Sequence, residues 1–408
     1  MHVLLLALNY WPDKLGNAPL LIGFAEGLVA RGHRVTVVCA FPHHETGRIE
    51  APYRGRLFQR DRHNGVDILR TYIYAGEHGT AAKMANYASF TATALAAAAT
   101  VRDVDVIFTP SPPLTLGIVD QLLSVFRGVP FVYNIQDFFP EAAVRLGVLT
   151  NPRVIRGFEA LERWVYARAS RLCVISEGFR RTLLEKGVPD GKITVVENYT
   201  DTDLIRPLGD APNHFRRTWG LDGRFVVQFS GRMGYSQGLE VLLQAMPLLD
   251  DCPDLFWMVV GDGQARDMIA EGIAGRTNAV LLPTQPREQL CELLNAADVG
   301  LAPLRHGMAG TSVPSKIFGI LASGRPVVAG VDAGSDTDEM VRAADCGRIV
   351  PPEDPVALAE ALRRLYHDRA ECRRLGENGR RHVVAHHGQA ATVEKYERML
   401  LDVVAKGR

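Results

Sequence analysis

"FVVQFSGRMGYSQG", residues 225–238, runs six strand-forming residues into a turn marked by Gly231, Gly234 and Gly238, with Arg232 between the first two. A nearly unbroken apolar run of this length fits a strand buried on both faces, as in a parallel sheet. Glycine reaches backbone dihedrals closed to other residues and lets amide N–H groups approach a ligand. The helical pattern beginning at Gly238 offers an N-terminus, which favours an anion. Arg232 adds a forked, permanently charged donor matched to phosphate oxygens. Neither G-x-x-x-x-G-K-[ST] nor the tight G-x-G-x-x-G spacing is present, which disfavours a triphosphatase loop and a dinucleotide fingerprint. Taken alone, the glycines fit a plain turn as well.

The same grammar continues outward. "LFWMVVG" (255–261), "DVGLAP" (298–303), "RPVVAG" (325–330) and "CGRIVPP" (346–352) alternate with helical stretches at 238–249, 286–296, 315–322 and 355–366. Upstream, "HVLLLAL" (2–8), a loop with Pro12, Gly16 and Pro19, a helix bearing Leu20, Leu21, Phe24 and Leu28, and "RVTVVCA" (34–40) make one βαβ unit. "VDVIFT", "PFVYNI" and "RLCVIS" extend that sheet. A chain of 408 residues exceeds one ordinary core. The alternation predicts an α/β fold of two doubly wound parallel-sheet Rossmann-like domains facing across a cleft, with ligands at the carboxyl ends of strands. The expected domains are 1–200 and 201–387, joined through the polar, proline-bearing 197–212 as a linker. Val393, Tyr396, Leu400 and Val403 recur at near-helical spacing in 388–408, a last helix for which packing on the first domain is one option.

Lys plus Arg and Asp plus Glu both total 46, which argues against nucleic-acid binding driven by net charge. Six cysteines without close pairing fit reduced thiols and a cytoplasmic setting, not a disulfide framework or zinc ribbon. "MHVLLLALNYWP" lacks a basic leader and reads as a first strand. The longest candidate span, the alanine-rich "ASFTATALAAAATV" (88–101), is too short to span a membrane.

Two further loops join the 230 turn. In "GTSVPSK" (310–316), Gly310, Thr311 and Ser312 are small, Pro314 and Ser315 start a helix, and Lys316 falls in its first turn. A lysine there opposes the helix dipole and calls for an external anion or a carboxylate, unless it is simply a surface lysine. "VVGDG" sets Gly261 and Gly263 directly after a strand, either as a tight turn or as a third loop on one rim. A nucleoside diphosphate would lie on that rim.

Together these stretches resemble the retaining glycosyltransferases of the two-Rossmann-domain (GT-B) type, in the large family numbered four. "SGRMGYSQGLE" (230–240), "VVGDG" (259–263), "AADVGLAPL" (296–304), "VPSKIFGILASGRPVVAG" (313–330) and "CGRIVPPEDPVALAEAL" (346–362) carry the likeness in the second half. "LNYWPDKLGNAP", "GLVARGHRVTVV" and "NIQDFFPEAAVRLGVL" carry it in the first. Within the family the chain looks most like enzymes of bacterial exopolysaccharide and O-antigen assembly, including the colanic-acid and N-acetylfucosaminyl transferases.

The resemblance implies a nucleotide-sugar donor in the second domain and a saccharide acceptor, lipid-linked through polyprenyl diphosphate or soluble, on the first. It implies no metal or other cofactor. Arg232 matches the diphosphate-binding arginine, flanked by Gly231 and Gly234. The lysine usual five residues later is Gln237, and Lys316 stands in for it. Thr311 and Gly319 occupy the positions of a glutamate pair that touches donor sugar and ribose, with Ser312 and Ser315 beside them and Gly261 and Gly263 on the neighbouring loop. Gly16 and Asn17 match the loop that meets the donor phosphate from the first domain. Gln136 replaces a histidine, leaving Asp137 as the candidate hydrogen-bond acceptor unless it is a cap or turn residue, and Glu141 as its alternative. Retention in this family is read as attack from the leaving-group face, the departing phosphate helping to take the acceptor proton.

Other residues invite separate readings. "DTD" at 201–203 and 336–338 is the metal signature of another glycosyltransferase fold but stands here in a linker and a late loop. His382, His386 and His387 read as a solvated helix end, and His43 and His44 as possible acceptor-phosphate contacts. "RIEAPYRGRLFQRDRH" (48–63) interleaves arginines 48, 54, 56, 60 and 62 with Ile49, Tyr53, Leu57 and Phe58. Such a patch suits anionic headgroups, or covers a local core. With a lipid-linked acceptor it implies peripheral contact at the cytoplasmic face of the inner membrane. Competing functions are a nucleotide-sugar epimerase and a non-catalytic sugar-nucleotide-binding homologue.

Overall fold

A computed structural model of the chain describes residues 1–13, 17–43, 48–76, 80–145, 147–209, 211–308 and 314–407. By contact the chain divides into two compact units, Met1–Asn198 with Gln389–Arg408, and Tyr199–Gly388.

The first unit holds strands β1 (His2–Ala7), β2 (Arg34–Ala40), β3 (Phe58–His63), β4 (Val66–Thr71), β5 (Val106–Pro110), β6 (Phe131–Ile135), β7 (Arg171–Val174) and β8 (Ile193–Val195). They lie in the order β3-β4-β2-β1-β5-β6-β7-β8, parallel except for β3, which runs antiparallel to β4. β1, β5 and β6 are buried along their whole length, as the apolar runs require. Helix Ala18–Ala30 and the last helix, Gln389–Gly407, pack on this sheet. The Phe24 ring lies tilted 4.7 Å from Phe108, and the Tyr396 ring meets both, at 5.0 and 5.6 Å. Gly27 permits the approach: a Cβ there would lie 2.8 Å from Val393 Cγ2.

The second unit holds β9 (Phe225–Ser230), β10 (Leu255–Val260), β11 (Ala279–Leu282), β12 (Val299–Leu301), β13 (Val327–Gly330) and β14 (Gly347–Val350). All are parallel, in the order β11-β10-β9-β12-β13-β14. Counted within the unit this is 3-2-1-4-5-6, the order of a Rossmann sheet. Trp257, on β10, lies fully inside.

Two expectations need correction, and one hairpin was not anticipated. The stretch 197–212 is not a free linker. Ile205 is buried with Leu294, Ile317 and Ile320, and Thr200 donates its N–H to His387 O at 3.0 Å. No helix begins at Gly238, which takes a left-handed φ of +56°. The helix that follows, Glu240–Ala245, has six residues with Glu240 in its first turn, so its N-terminus carries its own anion. Finally, β3 and β4 form a hairpin around Asn64 and Gly65, at φ 45° and 82°. The Asn-Gly pair is the signal that the reading of 48–63 as a patch passed over.

Candidate functional site

In a doubly wound sheet the loops leaving neighbouring strands diverge where the strand order reverses, opening a crevice at the carboxyl ends. In the second unit that point lies between β9 and β12. The loop after β9 is built on backbone. Gly231 (φ +144°) donates to Val260 O at 3.0 Å, Met233 N–H donates to Asp262 O at 2.9 Å, and Ala265 N–H returns to Met233 O at 3.0 Å. Gly261 and Gly263, at φ +144° and +143°, exist for this contact. A Cβ on Gly261 would sit 1.9 Å from Gly231 O, and one on Gly263 2.6 Å from Met233 O. Gly234, by contrast, has φ −91° and ψ 162°, extended backbone open to any residue, which corrects the reason given for a glycine there.

The loop after β12 is tied to the same turn. Arg305 donates through N–H to Ser236 O at 2.9 Å and through Nε to Tyr235 O at 2.7 Å, while its guanidinium pairs with Glu353 at 2.8 Å and with Glu240. This arginine was not foreseen; its neutralised charge makes it a brace, and only its place after a strand hinted at it. Beside it, exposed His306 bonds through Nδ1 to Asp332 at 2.6 Å.

Among the described residues, Arg232 and Lys316 are the cations of the rim without an ion pair. Arg232 is exposed and has no partner among the described residues. Lys316, the first residue of helix Lys316–Ala322, extends its Nζ to Gln237 Oε1 at 2.5 Å and lies 3.8 Å from the centroid of the Phe229 ring. It makes no ion pair among the described residues, and burial of the amine pulls its pKa down to about 7. The plain surface-lysine reading therefore does not hold. Ser315 precedes it, exposed, without a side-chain cap bond. Thr311 and Ser312 lie outside the described residues, as do Gly16 and His44. Gly319 points elsewhere: a Cβ there would meet Leu294 Cδ1 at 3.3 Å and Ile205 Cδ1 at 3.9 Å, so that position adds packing and no polar group.

In the first unit the order reverses between β1 and β5. Asn17, at the start of helix Ala18–Ala30, donates to Ser111 O at 3.4 Å. Ser111 Oγ donates to Asp137 O at 3.3 Å and accepts from Gln136 N–H at 3.2 Å, so Asn17 and half-buried Asp137 adjoin one turn. Gln136 itself is buried between Asn134, 2.7 Å away, and Asn198, 3.0 Å away, with both ends of its amide used. Glu141 opens the short helix Glu141–Arg145, bonds Arg145 at 2.7 Å and lines a separate cavity.

Several peripheral readings change. His43 is buried, bonded to Phe41 O at 2.8 Å, and burial lowers its pKa; it is no ready cation for a phosphate. His387 is buried against the Phe318 ring at 4.4 Å, and so is not part of a solvated end. Asp338 accepts from Gly334 N–H and pairs with Arg342 at the start of helix Asp336–Ala343. Asp201 caps the turn to Leu204 at 2.9 Å and pairs with Arg287. Asp201 and Asp338 thus serve local structure.

Two doubly wound parallel units, the second with a glycine-built basic rim at its switch point, make a protein of GT-B architecture. A model of the glycosyl transferase 4-like domain matches residues 22–199 and one of the glycosyl transferases group 1 matches residues 224–368, so the chain belongs to the glycosyltransferases built from these two domains. WbjE of Pseudomonas aeruginosa, assigned as a glycosyltransferase, is 30% identical over 264 residues, 63% of this chain and 65% of its own length, just under two thirds of that relative. WcaI of Escherichia coli, assigned to colanic acid biosynthesis, is 26% identical over 89% of this chain and 91% of its own. Among solved structures, sucrose-phosphate synthase from Thermosynechococcus elongatus superposes with a TM-score of 0.78 at 19% identity, covering 100% of both chains. HepE from Anabaena, in complex with UDP and glucose, gives 0.74 at 17% identity, covering 98% of this chain and 100% of that one. At such identities the likeness is one of fold.

Proposed function

We propose that this protein moves a sugar from a nucleoside-diphosphate sugar to a saccharide acceptor, with retention, during assembly of a cell-surface polysaccharide. One observation carries the reading: a lysine drawn out of water beside a glycine turn, facing an amide and a ring in place of a carboxylate, next to an unpaired arginine. Such a pair is poised for a diphosphate that arrives with the donor. Arg232 and Lys316 oppose the negative charge that grows as the diphosphate departs. Amides of the 231–234 turn add donors without needing to reorganise. On the first unit, Asp137 is assigned to hold a hydroxyl of sugar or acceptor. The kinship with polysaccharide enzymes supports the acceptor class, and HepE, named in complex with UDP, supports a nucleotide donor. No metal or further cofactor enters the mechanism.

The acceptor is assigned as lipid-linked, with the chain resting on the cytoplasmic face of the membrane through Arg54, Arg56, Leu57, Phe58 and Arg60, all exposed. No helix among the described residues is long and apolar enough to cross a bilayer.

The test is turnover of a panel of nucleotide sugars with a membrane extract as acceptor. Arg232→Ala, with circular dichroism unchanged, should lower kcat/KM by roughly 10²–10³-fold, the size of losing one donor to a developing charge. Wild-type rates in the variant overturn the assignment. A donor sugar altered without any acceptor reports an epimerase.

A further inference from the structure

A cavity of about 910 Å³ opens within the first unit, between helix Glu141–Arg145, helix Pro152–Arg168 and the turn after helix Glu177–Glu185. That is the size of a small-molecule site. Its walls are chiefly apolar, with Pro140, Val144, Ile155, Tyr166, Val188 and Pro189 among them.

The charges in the wall are largely settled between themselves. Glu162, its side chain 5% exposed, receives Lys186 Nζ on both oxygens, at 2.8 and 3.0 Å, and the Tyr166 hydroxyl at 3.0 Å. Glu141 receives Arg145. Lys192, also in the wall, gives its Nζ to Ala167 O at 2.7 Å, and burial lowers its pKa.

Two charges at the wall, Glu159 and Arg163, have no ion pair among the described residues. Arg163 is exposed. Arg153, Arg156 and Arg168 along the same helix are likewise exposed and without an ion pair among the described residues, and the helix's remaining acid outside the buried Glu162 is Glu159. Val154 and Trp164 on this helix, and Val144 and Val148 beside it, stand open to solvent. A purely polar anion would leave the apolar walls wet, and a purely apolar ligand would leave Arg163, the arginine of this helix that lines the cavity, without a partner. A long apolar chain ending in a phosphate satisfies both.

We infer that this cavity takes the chain of a lipid phosphate and that Arg163 holds its head. Two sources share that chemistry, an isoprenoid phosphate carrying the acceptor and a phospholipid of the bilayer. The inference deepens the acceptor side of the proposed function and rests on that reading only for the carrier as a source.

Isothermal titration calorimetry on the full chain reads occupancy directly. Farnesyl phosphate, added as a monomer, should bind saturably at one site per chain. Ala167→Phe, which fills the space from the helix, and Arg163→Glu, which reverses the charge, should each weaken binding tenfold or more. Val144→Phe fills the cavity from the other side should Ala167→Phe not fold. Vesicles of phosphatidylglycerol form a second arm: binding of farnesyl phosphate alone assigns the carrier, and vesicle binding that the filled variants lose assigns the bilayer. Equal binding to wild type and to folded, filled variants overturns the inference, as does farnesol binding as tightly as its phosphate. A thermal shift with UDP, GDP or ADP on the same samples reports the donor rim. Its loss with lipid binding intact fails the transferase reading and leaves this one standing.

Discussion

Lys316 is held where its charge is costly. Its amine has a pKa near 7, against about 10.4 for a free lysine, because burial disfavours the ammonium while Gln237 and Phe229 offer no negative charge in return. Between about pH 7 and 10.4 the folded chain therefore binds fewer protons here than the unfolded chain, so this group's contribution to stability rises with pH across that window. Below pH 7 its unfavourable effect is complete. Lys316→Met should raise the melting temperature of the second unit at pH 6 by roughly 2–6 °C, and by less at pH 9, measured by calorimetry. Anion binding should show the reverse face of the same linkage. From pH 7 to 9 the wild-type Kd for a nucleoside diphosphate should weaken by up to about tenfold per unit, as binding draws in a proton, while Lys316→Met stays weak and flat. A Kd independent of pH in the wild type would count against a protonated Lys316 in the bound state. The sequence exposed half of this arrangement. A lysine in a helix's first turn is visible in a linear reading, but its amide partner stands 79 residues away and only the β9–β12 crossing joins them. Gly261 shows the same limit. It was legible as a turn glycine, yet its need to lack a side chain comes from Gly231 O on another strand's loop.

At the scale of elements, long buried strands were easier to read than short or exposed ones. β1, β2, β9 and β10 are mostly apolar runs, and the helices Lys316–Ala322 and Pro355–His367 lie within a residue of where periodicity put them. β3 was missed because it alternates no clear face. As an edge strand it meets water on one side and carries arginines along its length, which is how sheets discourage pairing with other chains. The same exposure makes it the element on which membrane contact is assigned. Leu57 and Phe58, 63% and 51% exposed, lead into it between Arg56 and Arg60. Replacing Arg54, Arg56 and Arg60 together by serine should reduce sedimentation with acidic vesicles severalfold at low salt, with the difference fading as salt screens the charges. Unchanged partitioning would remove the patch from the account.

For the whole molecule the telling element is the last helix. Val393, Tyr396, Met399, Leu400 and Val403 fill the core of the first unit around Phe24 and Phe108, although the entire second unit intervenes in sequence. Leu400→Ala should cost about 2–5 kcal/mol, the usual loss for a fully buried leucine, and lower only the calorimetric transition of the first unit. A shift of both transitions, or of neither, would show that the helix belongs elsewhere. Its heptad-like spacing was legible, but several faces could have received it, since an amphipathic stripe names no partner.

The parallel pairing of Thr200 with Gly388 brings the two ends of residues 199–388 side by side. In consequence the later sheet is a guest seated within a host polypeptide, entered and left through one doorway. Such an insert is suited to excision, transplantation or cyclic rearrangement of its chain order, whereas the host, cut at that threshold, becomes two fragments that must find each other again.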